Sequence, residues 1–255
     1  MANTVYDNKI IEAKATDLLT TAINTRNLMT VDNSLAETAG MTKTINVYTY
    51  TGAAEELANG EGNSTRGAIA FSGKDYTVKR VQANFDYTDD DFMKDNSVVD
   101  NGVAGATAIL KNKMNADFFA ECAKASLSVP GALSYDTIVD AISELNVEDE
   151  SKIFVVIPND QKALLRKDPD YVAARMGDVV YTGQVGTVCG IPVIASKAAD
   201  AAYVMTPDAV KLFIKKDIGV GQERDEDTTV NSVYIRAYYI AALQDATKIC
   251  KIANA

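Results

Sequence analysis

The sequence contains no histidine, and only three cysteines among 255 residues. Without histidine, serine–histidine–aspartate and cysteine–histidine nucleophile systems are excluded, as are most zinc sites and the usual proton shuttle near neutral pH. Catalysis would have to rest on carboxylates, lysines, tyrosines or a cofactor. Cys122, Cys189 and Cys250 are isolated, odd in number and lack CxxC spacing. Neither a disulfide framework nor a zinc knuckle is readable, and the three are expected to be buried, reduced and apolar in behaviour. Basic residues are also scarce: 25 Lys and Arg against 35 Asp and Glu give a net charge of -10. General nucleic-acid binding needs cationic surface to displace counterions from phosphates, so it is not expected. No apolar run approaches the roughly 18 residues of a spanning helix. The opening "MANTVYDNKIIEAK" has no basic segment followed by an apolar one, so no signal peptide is expected and the product should stay in a cytosol or in a particle assembled there.

What is present is an ordinary globular composition, 47% hydrophobic and 24% charged, in a chain long enough to bury a sizeable core. Tyr6, Ile10, Ile11, Leu18, Leu19 and Ile23 recur at helical spacing, which predicts an amphipathic helix over 6–23 followed by a polar, extended arm. "TINVYTYT" at 44–51 alternates and predicts a strand, and "KDYTVKRVQANFDY" at 74–87 predicts a second. The small, glycine-rich segment between them makes the pair a long two-stranded ribbon. Tyr76 and Val78 share one face of the second strand, whereas Val81, Ala83, Phe85 and Tyr87 share the other. The switch at Lys79 and Arg80 is expected where a strand passes from one environment into another. A lone two-stranded ribbon is marginal in water, and its tip lacks large apolar residues to fold back on its own body. The surface it needs is expected to belong to another subunit.

Val103, Ala106, Leu110, Met114, Phe118, Cys122 and Ala125 then recur three or four apart until "SVPG". This predicts one helix of roughly 40 Å at 1.5 Å per residue, readable as a rigid strut or as a core helix. From Ser134 the texture is compact α/β: Ser134 capping a helix with Ile138, Ile142 and Leu145, a buried strand "KIFVVIP", and Asn159 or Asp160 capping "QKALLRK". Two strands around a glycine turn follow in "GDVVYTGQVGTVCGIPVIAS", then a short strand "AAYVM", with Thr206 and Pro207 opening a turn or short helix. Long strands "VKLFIKKDIGVGQ" and "VYIRAYYIAALQ" close the chain around the acidic loop "ERDEDTTVN".

Gly183, Gly186 and Gly190 look most like chemistry. A dinucleotide or phosphate loop requires a helix whose N-terminal N–H groups meet the anion, and here "IPVIAS", β-branched and bearing Pro192, predicts a strand instead. "GVGQER", with Gly219 and Gly221, fails for the same reason. The acidic clusters Asp89–Asp91 and Glu223–Asp227 could attract calcium or magnesium, but without calcium-loop spacing they read as helix caps and solvated loops. No carboxylate pair is singled out for glycosidase chemistry, and the Asn63-Ser64-Thr65 sequon is irrelevant without secretion. No catalytic, cofactor-binding or metal-ligating residue is assigned.

The order of parts resembles the major capsid proteins of tailed bacteriophages, those with the Hong Kong 97 fold. The residues carrying the resemblance are "VQANFDYTDDDFMKDN" leading into the long helix, "IFVVIPNDQKALLRK", "GQVGTVCGIPVIAS" with Gly190, Ile191, Pro192 and Val193, and the closing "RAYYIAALQDATKICKI". The resemblance implies an α+β, Hong Kong 97-like capsid fold. Its parts would be an N-terminal arm at 1–44, an extended β-hairpin loop at 45–80, a peripheral domain with a spine helix at 81–133 closed by strands at 215–245, and an α/β axial domain at 134–214 with a last strand at 246–255. It also implies a non-enzymatic shell protein, without cofactor or membrane. Implied partners are copies of itself in pentamers and hexamers, a separate scaffolding protein, a portal, and packaged double-stranded DNA bound without sequence specificity. The implied location is the virion capsid, assembled in the host bacterial cytoplasm. Some relatives cross-link a ribbon lysine to a neighbour's asparagine, and Lys43, Lys74, Lys79 and Asn231 supply those residue types. An encapsulin-type nanocompartment shell shares the fold, and a nucleotide-dependent α/β enzyme on 134–214 is the alternative from another class.

Overall fold

The computed structural model describes residues 11–16, 25–174 and 186–253. Residues 11–16 are helical (α1), with Ile11 and Ala15 buried; Tyr6, Ile10, Leu18, Leu19 and Ile23 lie outside the described residues. Between residues 25 and 41 the chain is folded onto the body. A 3-10 turn at Thr25–Leu28 leads to β1 (Thr30–Asp32), which pairs in parallel with a closing strand, and Met29 and Leu35 are buried. These two apolar side chains tether a mostly polar segment.

The ribbon consists of β2 (Thr42–Thr51) and β3 (Ala68–Thr77), antiparallel, with Tyr48 opposite Phe71 and Tyr50 opposite Ile69. The single strand expected over 74–87 is two strands: β3 ends at Thr77, and β4 (Lys79–Thr88) joins a different sheet. Val78 breaks the strand because it is buried among Leu35, Ile45, Phe213, Ile240 and Ala242, and its N–H bonds the Met41 carbonyl at 2.7 Å.

Thr88 caps α2 (Asp89–Lys94) through a reciprocal capping box with Asp91, and α3 (Val98–Cys122) follows. At 25 residues α3 is about 37 Å long, and it stops before Ala125. Its first half packs Val99, Val103, Ala106 and Leu110 against Ala83, Ile218, Val233 and Ile235 of a four-stranded sheet. Its second half packs Met114, Phe118, Phe119 and Cys122 against Phe154, Val156, Tyr203 and Met205 of a six-stranded sheet. One helix thus ties two cores together.

The six-stranded sheet is built from β5 (Leu127–Pro130), β6 (Phe154–Pro158), β7 (Thr187–Val188), β8 (Ile191–Ser196), β9 (Ala202–Met205) and β12 (Ile249–Ala253), in the order β5-β12-β9-β6-β8-β7. Ser134 caps α4 (Tyr135–Leu145) by accepting the Thr137 N–H, and Ile138, Ile142 and Leu145 cover the sheet as their spacing predicts. Neither Asn159 nor Asp160 caps α5 (Lys162–Lys167): both fall in a preceding 3-10 turn, and Gln161 at the cap position makes no side-chain bond. α6 (Pro169–Ala174) follows. Thr206 and Pro207 make a turn closed by the Ala209 N–H rather than a helix, and the Thr206 hydroxyl is buried without a partner. β10 (Val210–Asp225) and β11 (Val230–Leu243) pair from Val210↔Leu243 to Asp225↔Val230, so the acidic loop shrinks to a tight turn. They form the four-stranded sheet β1-β10-β11-β4, and β10 begins ahead of residue 215.

Candidate functional site

The ribbon is the least supported part of the molecule. Ten pairs of residues at about 3.4 Å per position carry its tip about 34 Å from the root. One face bears the cross-strand pairs Tyr48–Phe71 and Tyr50–Ile69, which are 64%, 69%, 67% and 61% exposed. The Tyr48 and Phe71 rings meet edge to face at 5.0 Å between centroids. Covering each of these four side chains would contribute roughly 1–2 kcal/mol, so the face is poised to dock and is poorly solvated alone. The sequence places apolar residues here in the strands rather than at the tip. At the tip Glu55 accepts hydrogen bonds from the Ser64 hydroxyl (2.7 Å), the Ser64 N–H (2.7 Å) and the Thr65 N–H (3.0 Å), closing the loop 52–67. The Ser64 hydroxyl, then the two N–H groups, hold the Glu55 carboxyl below its usual range.

At the root, α3 grips both sides of the Val78 break with two carboxylates one turn apart. Asp117, with 7% of its side chain exposed, accepts from Lys79 Nζ (3.0 Å), Lys113 Nζ (3.1 Å) and the Tyr239 hydroxyl (2.9 Å). Burial pushes its carboxyl up, but the bonds from Lys79, Tyr239 and Lys113 together outweigh that and leave it below the usual range. The Tyr239 hydroxyl is pushed well above its usual range, by burial first and the Asp117 charge second. Glu121 is paired with Lys124, and the Tyr76 hydroxyl lies 3.5 Å from it and 3.4 Å from the Leu243 carbonyl. Sequence reasoning did not single out Asp117 or Glu121. The available signal is that they stand three and seven residues beyond Met114, on the apolar stripe of a helix where acidic residues are out of place.

The glycine stretch is a hairpin turn. Val188 pairs with Ile191, and Cys189 and Gly190 both have positive φ, 50° and 81°, as a type I′ turn demands. A strand follows, so no helix end is offered to an anion; Gly186 contributes its carbonyl to the Val193 N–H, and Gly183 lies outside the described residues. Cys122 and Cys250 are buried as expected, whereas Cys189 is exposed at this turn, 3.3 Å from the Tyr135 hydroxyl. Burial pushes the Cys122 thiol far up and the Cys250 thiol up to about 11.

The acidic clusters act as structural partners. Asp89 forms a two-pronged pair with Arg224 (3.0 and 2.8 Å) and accepts from the Asn231 amide (2.9 Å), while Arg224 also donates to Asn231 Oδ1 (3.1 Å). Asn231 is buried with both ends of its amide engaged, and Lys79 is committed to Asp117. Lys43 lies over the Phe213 ring and Lys74 over Tyr76 within the same subunit. Among the described residues no group of three or more acidic or cysteine side chains could hold a metal, and no helix is long and apolar enough to cross a membrane.

The chain matches the family model described as phage capsid protein over residues 72–252. It is 25% identical over 235 residues to the major capsid protein of Staphylococcus phage phiMR11, covering 87% of this chain and 84% of that protein. The fold is similar to the capsid of cyanophage P-SCSP1u, with a TM-score of 0.70 at 11% identity over 89% of this chain and 86% of that one. It is similar to Mycobacterium phage Che8 (TM-score 0.67, 17% identity, 89% of each chain) and to a virus-like particle from Pyrococcus furiosus (0.68, 10%, 98% and 100%). The strut helix, the two sheets it joins and the projecting ribbon are thus the parts of a shell subunit, and the chain belongs to the phage capsid protein family, a non-enzymatic major capsid protein of the Hong Kong 97 type.

Proposed function

We propose that copies of this chain, as pentamers and hexamers, close into the icosahedral shell around the double-stranded DNA genome of a tailed phage. The observation that carries the proposal is the ribbon: about 34 Å of two-stranded sheet whose apolar face, Tyr48, Tyr50, Ile69 and Phe71, is largely exposed and has no cover among the described residues of its own subunit. A neighbouring copy supplies that cover. The six-stranded unit would be the axial domain and the four-stranded unit with α3 the peripheral domain, assembled in the bacterial host with a scaffolding protein and a portal. Individual contacts of this size are weak enough to break and correct, while many of them in a closed shell sum to a stable wall. A net charge of -10 suits a wall that does not adhere to the DNA it holds.

Electron microscopy of the expressed protein, with and without scaffold, is expected to show closed shells; monomers under every condition would overturn the reading. Deleting residues 53–69 should spare monomer folding and abolish shells. The likeness to the Pyrococcus particle concerns the fold, so an encapsulin-type container is separated by contents: purified shells from infected cells should carry nucleic-acid absorbance. A nucleotide site on 134–214 is separated by titration calorimetry, where no heat of nucleotide binding is expected.

A further inference from the structure

The four-stranded sheet has a second face, turned away from α3. Along β11 Val233, Ile235 and Ala237 point to the helix side and are buried, so Tyr234, Arg236 and Tyr238 point to the other. Across the strands Lys216 lies opposite Tyr238, Gly219 opposite Arg236 and Gly221 opposite Tyr234, which puts them on that same face. Nearest the ribbon this face is covered by Leu35, Ile45 and Val78; just beyond the cover, Lys216, Gly219, Val220, Gly221, Arg236 and Tyr238 line an open depression of about 310 Å³. Its charge is that of Lys216 and Arg236, and the two glycines leave room for them. A Cβ at Gly219 would stand 3.1 Å from Lys216 Cε and one at Gly221 3.7 Å from Arg236 Nη2, so both long side chains lie across bare backbone.

The cations are oriented but not neutralised. Arg236 is fixed by donating Nε to Gln82 Oε1 at 2.8 Å and by lying 5.5 Å over the Tyr234 ring. Among the described residues no carboxylate pairs with Lys216 or Arg236. In a chain with ten more acidic than basic residues, a positioned guanidinium and ammonium that no described carboxylate pairs mark a receiving site for carboxylate.

We propose that this depression receives the acidic ribbon tip of a second copy of the chain, through Glu56 and Glu61. The proposal rests on the ribbon docking onto a neighbour. The β10–β11 turn and the ribbon tip are both acidic, and each closes a long two-stranded hairpin. In the turn, Asp225 is held by the Thr228 hydroxyl and the Asp227 N–H, and Glu226 by Arg224. At the tip, Glu55 is committed to Ser64 and Thr65, while Glu56 and Glu61 are exposed without a cation partner among the described residues. The tip of the same chain does not reach. Tyr238 in the depression is paired with Arg80 at the start of β4, where the ribbon leaves, so its own tip stands about 34 Å away along a regular ribbon.

The test is a charge exchange read by gradient sedimentation and electron microscopy of shells. Lys216→Glu with Arg236→Glu, and separately Glu56→Lys with Glu61→Lys, should each lower the shell fraction about tenfold while leaving the melting of unassembled subunits unchanged. All four substitutions in one chain should restore it to within about twofold of the parent. Normal assembly of either pair, or no recovery in the combined variant, overturns the proposal. Shells that form normally but lose their nucleic acid also overturn it and give the depression to packaged DNA. If the reversed residues lower subunit melting, Lys216→Gln with Arg236→Gln removes charge alone, and shell dissociation should become less salt-dependent; an unchanged salt dependence overturns the proposal. Deletion of 53–69 keeps the outcomes distinct: shells surviving it defeat ribbon docking itself, whereas their loss beside a failed charge exchange defeats only this socket.

Discussion

Replacing Asp117 by Asn tests whether the spine helix holds the ribbon at its root. The change preserves shape and removes the charge that accepts from Lys79, Lys113 and Tyr239. Both lysines have about half of their side chains in water, 56% and 52%, so their ammonium groups rehydrate and losing their pairing costs little. The main loss is at the Tyr239 hydroxyl, in a residue only 2% exposed, whose charge-assisted bond has no water to replace it. A hydrogen bond to a charged group contributes about 1.5–3 kcal/mol, and the amide recovers part of it, so destabilisation of about 2 kcal/mol is expected. For a chain of this length that lowers the melting temperature of unassembled subunits by about 4–8 °C. Hydrogen exchange should rise in β3, β4 and the adjoining part of β11. Because the folded Asp117 carboxyl lies below its unfolded value of about 4, its stabilisation is present above that pH and lost as pH falls through the folded value. The gap between parent and variant should therefore be constant near neutrality and close below about pH 4. Tyr239→Phe should cost about 1–2 kcal/mol and couple to Asp117→Asn in a double-mutant cycle. A melting change under 1 °C at pH 7, or strict additivity in the cycle, would refute the reasoning.

Tyr48→Ser with Phe71→Ser alters side chains that are already in water, so subunit stability should move by less than about 0.5 kcal/mol while shell yield falls; equal losses in both would show the face packs within its own subunit. Gly190→Ala meets no neighbour within 4 Å but must hold φ at 81°, so it should destabilise by about 1–2 kcal/mol, with Gly190→Asn costing less; thermal melts that rank alanine above asparagine would contradict the turn assignment. A thiol reagent should modify Cys189 alone in native subunits and Cys122 and Cys250 only after denaturation, since burial raises both of those thiols; rapid modification of Cys250 in the native state would sink the packing described.

Local pattern made much of this molecule legible. Alternation disclosed the ribbon, the spacing of Val103 through Cys122 disclosed the strut, and Pro192 after Gly190 separated a hairpin from a phosphate loop. Where local pattern failed, long-range packing had the deciding role. The segment 25–41 reads as an extended polar arm with no period to say what it lies on, and burial of Met29 and Leu35 and pairing of β1 with β10 bind it to the sheet. Residues 74–87 read as one strand because a single buried side chain, Val78, breaks the run without breaking its composition.

What the sequence by itself determined is the class of answer: no histidine chemistry and an acidic chain, because composition is a property of the chain alone, and an order of elements that resembles a capsid protein. Only the tertiary structure decided which charges matter. Lys79, Asp117 and Tyr239, like Lys216 and Arg236, stand far apart in sequence. Strand register and helix packing bring them together, bury one carboxylate and leave two cations that no carboxylate among the described residues pairs, and burial is what turns a common side chain into an energetic constraint.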